Sequence, residues 1–169
     1  PDRLPGDQIV QSWDTASKAE EANDYSVCTT WLVRDSNAWL INLHRAKLEF
    51  PELRRRVEVE ANRVKVSLIL IEEAGSGIQM IQDLKQNTRL NVTGIIPKDD
   101  KATRLQSVSP MIEGGRISIP KDAPWLAVFR HELMLFPNGK YDDQVDSLSQ
   151  FLIWMGRPKP SSGMVRFPL

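Results

Sequence analysis

Cysteine is almost missing from this sequence: Cys28 stands alone among 169 residues. One thiol excludes an internal disulfide and a cysteine-based zinc site, and it fits a reducing compartment. Its place in an apolar, strand-like run makes it a buried structural thiol rather than a nucleophile. Long apolar runs are missing too. None approaches the ~20 residues that a membrane span needs, and no signal-peptide pattern opens the chain. There is no internal repeat and no low-complexity segment. The formal net charge is zero, so any binding to nucleic acid would rest on local basic patches rather than on a global field. What is there is ordinary for a soluble globular protein, 41% hydrophobic and 26% charged, and long enough for one domain with a real core. The chain begins Pro-Asp-Arg without an initiator Met, the expectation for a piece excised from something longer.

The chain is organised around residues 9–16, Ile-Val-Gln-Ser-Trp-Asp-Thr-Ala. As a strand it puts Ile9, Gln11 and Trp13 on one face and Val10, Ser12 and Asp14 on the other. A polar connection (17–23) leads to β-branched and aromatic residues at 25–34 and, after the turn residues Asp35-Ser36-Asn37, to a third strand at 38–45. These three form an antiparallel meander. Pro51 opens a helix with Leu53, Val57, Ala61 and Val64 as its apolar stripe. The short apolar run 67–71 reads as a strand covered on both faces and ends in Glu72-Glu73. Gly75-Ser76-Gly77 turns into a helix, with Ser76 as N-cap and Gln79 completing a capping box. It lacks both the Walker and the dinucleotide patterns, which makes it a plain strand-to-helix turn. A fifth strand follows at 90–96, then helices at 102–112, 123–135 (core candidates Trp125, Val128, Phe129 and Leu133) and 142–155. Between the first two of these, 116–119 is a short extended piece. The last helix carries the stripe Val145, Leu148, Phe151, Leu152 and Met155. The pattern describes one domain: a mixed five-stranded α/β sheet, three strands of antiparallel meander plus parallel strands, flanked by helices. The core runs from about 8 to 156, with a C-terminal tail at 157–169.

Carboxylates recur at element ends. Asp14 closes the first strand and Glu72 the fourth. Neighbouring strands lie about 4.8 Å apart, so these two can sit side by side. Asp143 and Asp146 are three apart on the last helix and share a face; Asp142 and Asp146, four apart, also can. Acidic residues at a helix N-terminus suit the macrodipole, but three in five positions exceed what a cap requires. Clustered carboxylates repel, and divalent cations resolve the repulsion. An oxygen-only ligand set favours Mg²⁺ or Mn²⁺ over zinc, and two such ions about 3.5–4 Å apart perform phosphodiester cleavage. The competing interpretation is an ion-pair network.

A series of short motifs carries a resemblance. They are Trp-Asp-Thr-Ala (13–16), Asp-Tyr-Ser (24–26), Leu-Ile-Glu-Glu-Ala-Gly-Ser-Gly (70–77), Asp-Lys-Ala-Thr-Arg (100–104), Gly-Arg-Ile-Ser-Ile-Pro (115–120), Ala-Pro-Trp-Leu (123–126) and Phe-Pro-Asn-Gly-Lys-Tyr-Asp-Asp-Gln-Val-Asp-Ser-Leu (136–148). In that order the sequence resembles the C-terminal nuclease domain of the large terminase subunit of tailed bacteriophages, a ribonuclease H-like fold of the resolvase and integrase superfamily. The resemblance implies metal ligands at Asp14, Glu72, Asp143 and Asp146, with Glu73 in reserve for Glu72. It implies two Mg²⁺ or Mn²⁺ ions and headful cutting of double-stranded DNA concatemers in the host bacterial cytoplasm. The implied partners are an ATPase motor, absent from this chain because no Walker A loop is present, the portal protein and the small terminase subunit; no membrane is involved. The chain departs from the family pattern with Glu-Glu for the usual Glu-Asp, Tyr141 for a frequent histidine and Ser147 for a small Ala.

Lys98, Lys101 and Arg104, grouped on one loop and helix start, are the phosphate-contact candidates; a solvated charged turn is the plainer alternative. A junction resolvase of the same fold and a non-catalytic docking module of the packaging motor are the rival functions.

Overall fold

A computed structural model describes residues 1–15 and 25–158. The expected connection at 17–23, Ala16 and Asp24 of the quoted motifs, and the tail from 159 onward lie outside the described residues.

Six strands form one sheet in the order β5-β4-β1-β2-β3-β6. β1 (Gln8–Asp14), β2 (Ser26–Arg34) and β3 (Asn37–Ala46) make the antiparallel meander. β4 (Leu68–Glu72) pairs parallel to β1, and β5 (Val92–Ile95) parallel to β4. The sixth strand, β6 (Ile117–Ser118), was expected only as an extended piece; it pairs parallel to β3 through Ala38 and Trp39. The helices are α1 (Phe50–Val64), α2 (Ser76–Asn87), α3 (Lys101–Glu113), α4 (Leu126–Leu135) and α5 (Asp143–Gly156).

Strand alternation divides the core into two layers. Val10, Leu70, Trp31, Leu43 and Ile95 face α3, α4 and α5, where Phe151 stacks on Trp31 with ring centroids 4.3 Å apart. Trp13, Cys28, Ile69, Ile71 and Val92 face α1 and α2. Ser12 and Asp14 share the parity of Val10, so the first strand presents its carboxylate to the α5 side. Cys28 is buried, as an apolar strand position requires.

Three local expectations are corrected. The capping box at Ser76 does not form: Gly75 is the N-cap, with φ 52° that favours glycine, and Ser76, the first helical residue, donates its hydroxyl to Thr15 Oγ1 at 3.0 Å. Gly77 explains why the turn is tight, since a Cβ there would lie 2.1 Å from the carbonyl oxygen of Glu72. α4 begins at Leu126 rather than 123, with Pro124 held outside it. Of its named core candidates, Phe129 is buried and Val128 is exposed.

Candidate metal centre

The register brings one row of residues level across five strands. Ile95 is opposite Glu72, Asp14 opposite Val27, and Val27 opposite Arg45. The parallel β1–β4 pairing ends at Trp13 and Ile71, which leaves Asp14 beside Glu72. All five share the parity that faces α5.

α5 packs on the sheet through its apolar stripe, and polar groups fix its place over this row. Ser147 Oγ donates to the Ser12 carbonyl at 2.7 Å, lies 2.7 Å from Thr29 Oγ1, and accepts from the Thr29 backbone N–H at 3.2 Å. Ser12 Oγ donates to the Ser147 carbonyl at 2.8 Å, and Gln150 Nε2 donates to Ser12 Oγ at 2.9 Å and to the Trp13 carbonyl at 3.2 Å. Hydrogen bonds have preferred lengths and directions, so they fix the helix to one seat on the sheet where apolar surfaces would slide. Its N-terminus is held from α4. The buried carboxylate of Glu132 accepts from the backbone N–H groups of Gln144 at 2.7 Å and Val145 at 3.4 Å, and from the Gln144 side chain. Asp142, the N-cap by position, makes no side-chain cap.

With α5 seated this way, Asp143 and Asp146 lie on the same side of the sheet as Asp14 and Glu72, near enough for their charges to act on Asp14. Burial pushes the Asp14 carboxyl well above the ordinary range, and the charges of Asp146, Asp143 and Glu72 push it further. Asp143 is raised to about 6, first by burial and then by the charges of Glu132 and Asp142. Its Oδ2 is buried with no hydrogen-bond partner. Glu73, the reserve for Glu72, points elsewhere, toward Gly94, where a Cβ would lie 2.6 Å from Glu73 Oε2.

The site also contains cations. Arg104, only 7% exposed, donates to Glu72 Oε2 at 2.9 Å and to Asp146 Oδ1 at 2.8 Å. Lys101 Nζ lies 2.6 Å from Asp146 Oδ2 and 2.7 Å from Asp142 Oδ1. Both cations sit on α3, three residues apart, directed inward at the acidic row. Burial raises Asp146 while its bonds to Lys101 and the charge of Arg104 oppose that rise. For Lys101 burial works the other way, yet the two carboxylates outweigh it and lift the ammonium above its usual range. As these side chains stand, no group of three Asp, Glu, His or Cys among the described residues is arranged to hold one ion. Lys98 is exposed, on the rim of a cavity of about 420 Å³ lined also by Arg104, Ser107, Gln150 and Arg157.

The sequence reading missed Glu132, Arg45 and the seat made by Ser12, Thr29, Ser147 and Gln150. Their one trace is that Ser147 and Gln150 fall three apart on an otherwise apolar helix face.

Residues 11–154, most of the chain, match the terminase RNaseH-like domain family. The chain belongs to that family. The match spans the row, α3 and α5 together, and solved terminase nucleases share the fold. The large terminase nuclease of thermophilic phage G20c with bound zinc is 20% identical, with 88% of this chain and 82% of that chain covered and a TM-score of 0.68. The same nuclease with bound magnesium gives 17%, 90%, 84% and 0.70. The longer large terminase of another thermophilic bacteriophage is 12% identical, with 89% of this chain covering 40% of that one at a TM-score of 0.65. No curated protein sequence matches. The expected ribonuclease H-like mixed sheet is therefore the observed one, with β6 added at its edge.

Proposed function

We propose that this terminase domain is the DNA-cutting part of a phage packaging machine, a metal-dependent endonuclease acting on double-stranded DNA. The observation that supports the proposal is the register that sets Asp14 beside Glu72, with Arg104 bridging Glu72 to Asp146 of α5 and Asp143 Oδ2 buried and unpartnered. A set of carboxylate oxygens suits Mg²⁺ or Mn²⁺, and two such ions would supply an activated water and a stabilised leaving oxygen. Asp14, Glu72, Asp143 and Asp146 would hold them once Lys101 and Arg104 give up their present places. Until then Arg104 holds Glu72 and Asp146 in place, and the Ser147 and Gln150 bonds keep α5 level with Asp14. Headful cutting in the bacterial cytoplasm, in company with an ATPase domain, the portal and the small subunit, extends the same proposal. The phosphate-contact role is assigned to Lys98, and charge balance within the site to Lys101 and Arg104.

The test is incubation with supercoiled plasmid. Nicking and linearisation are expected in Mn²⁺, weaker cutting in Mg²⁺, and none in EDTA. Asp14→Asn should lose more than about 100-fold, beyond what an outer-shell change usually costs. Cutting that persists in EDTA, or an Asp14→Asn variant as active as wild type, would overturn the metal mechanism, whereas no cutting under any of these conditions would favour a docking role.

A further inference from the structure

The level row of five strands does not end at the carboxylates. On the β5 side it runs out to Lys98 and the cavity shared with Arg157. On the β3 side it reaches Arg45, and beyond it Lys47, at the same edge of the sheet as Asp14. Arg45 lies 3.5 Å above the ring of Tyr25 and 5.0 Å from that of Tyr141; the two rings meet edge to face with centroids 5.3 Å apart. Lys47 Nζ is 4.9 Å from the Tyr25 ring, and Lys140 Nζ is 5.1 Å from the Tyr141 ring. Tyr141 in turn directly precedes Asp142 and Asp143, which ties this cluster to the start of α5.

The partners of these cations matter. Lys101 and Arg104 are committed to carboxylates, which cancel their charge. Arg45 is partly balanced by Glu132 at 3.8 Å. Lys47 and Lys140, both exposed, rest on ring faces, and a ring holds a cation by its quadrupole without neutralising it. The tyrosines therefore fix two positive charges in place and leave them available to an anion. Five strands at about 4.8 Å spacing span about 19 Å, so positive charge flanks the acidic centre on both sides within the reach of a few nucleotides.

We propose that Lys47 and Lys140, held by Tyr25 and Tyr141 around Arg45, form a phosphate-binding shoulder for duplex DNA. The backbone then crosses the carboxylate row between this shoulder and Lys98. The inference rests on the nuclease reading above and adds to it the direction of the DNA path and two contacts.

The experiment measures binding of a fluorescein-labelled duplex of about 20 bp by anisotropy in EDTA, across a salt series. Wild type is compared with Lys47→Ala/Lys140→Ala and with Lys85→Ala/Lys121→Ala, which makes the same change of net charge with neither residue in the shoulder. Loss of two phosphate contacts should make the slope of log affinity against log salt shallower by about 1.8, at an unchanged melting temperature. The control pair should keep the wild-type slope. A shoulder variant with the wild-type slope, beside a wild type that binds and cuts, overturns the shoulder and leaves the nuclease reading standing. A control pair that loses as much overturns it equally, since net charge alone would then explain the effect. A wild type that neither binds duplex nor cuts plasmid removes the nuclease reading, and this one with it.

Discussion

Asp146 has both carboxylate oxygens engaged, one by Arg104 and the other by Lys101. That changes what its removal should do. Unit charges about 4 Å apart attract by about 4 kcal/mol at an effective dielectric of about 20, whereas a like charge at ~6 Å repels by about 3 kcal/mol. Arg104 is buried with Asp146, while the more exposed Lys101 contributes less because solvent screens it. Attraction wins. Asp146→Asn should therefore melt lower than wild type in EDTA, by about 2–3 kcal/mol, because it leaves a buried guanidinium with Glu72 alone. A variant as stable as wild type would show that repulsion among the carboxylates dominates. The pairing of Asp143 and Asp146 on one helix face was legible from their spacing. The inward aim of Lys101 and Arg104 was not. Two basic residues three apart at a helix start read equally as solvent-facing, and only the position of α3 against β4 and α5 turns them toward the acids.

At the scale of the element, α5 shows how a helix can be positioned by its polar residues. Its apolar stripe was readable because Val145, Leu148, Phe151 and Leu152 repeat at helical spacing, and each is buried. The stripe does not fix the height of the helix, since apolar contacts are non-directional. Glu132 and Ser147 do that, and both act on partners distant in sequence or strand order, which periodicity cannot reveal. Ser147 has a physical account here: its hydroxyl makes bonds to both β1 and β2. Glu132→Ala removes the acceptor for two backbone N–H groups at the start of α5. The expected cost is about 2 kcal/mol, at the upper end for a lost cap because the N–H groups are buried. Thermal or urea melts of this variant measure it, and a loss under about 0.5 kcal/mol would mean that water or Asp142 takes over the cap.

Across the whole molecule, strand alternation and the turn residues Asp35-Ser36-Asn37 made the meander legible, and the apolar run before Glu72 marked a strand covered on both faces. β6 was not legible as a strand because two residues form no pattern. The sheet order also decides how the site depends on the chain. β1 lies near the centre of the sheet, between β2 and β4, although it is the first element among the described residues, and α5, the last of them, closes over it. A chain ending at residue 140 keeps Asp14 and Glu72 but loses Asp143, Asp146 and the α5 side of the core. It should show no cooperative melt and no stabilisation by Mn²⁺, whereas Mn²⁺ should raise the melting temperature of the 169-residue chain by mass action. Circular dichroism melts with and without the metal would check this; a Mn²⁺-stabilised fragment would place the ions elsewhere. On the ribosome the same arrangement acts as a timer. The polypeptide emerges with Asp14 first and with Asp143 and Asp146 only after most of the domain has followed. On the proposed nuclease reading, the set of four carboxylates is complete only once α5 has been made.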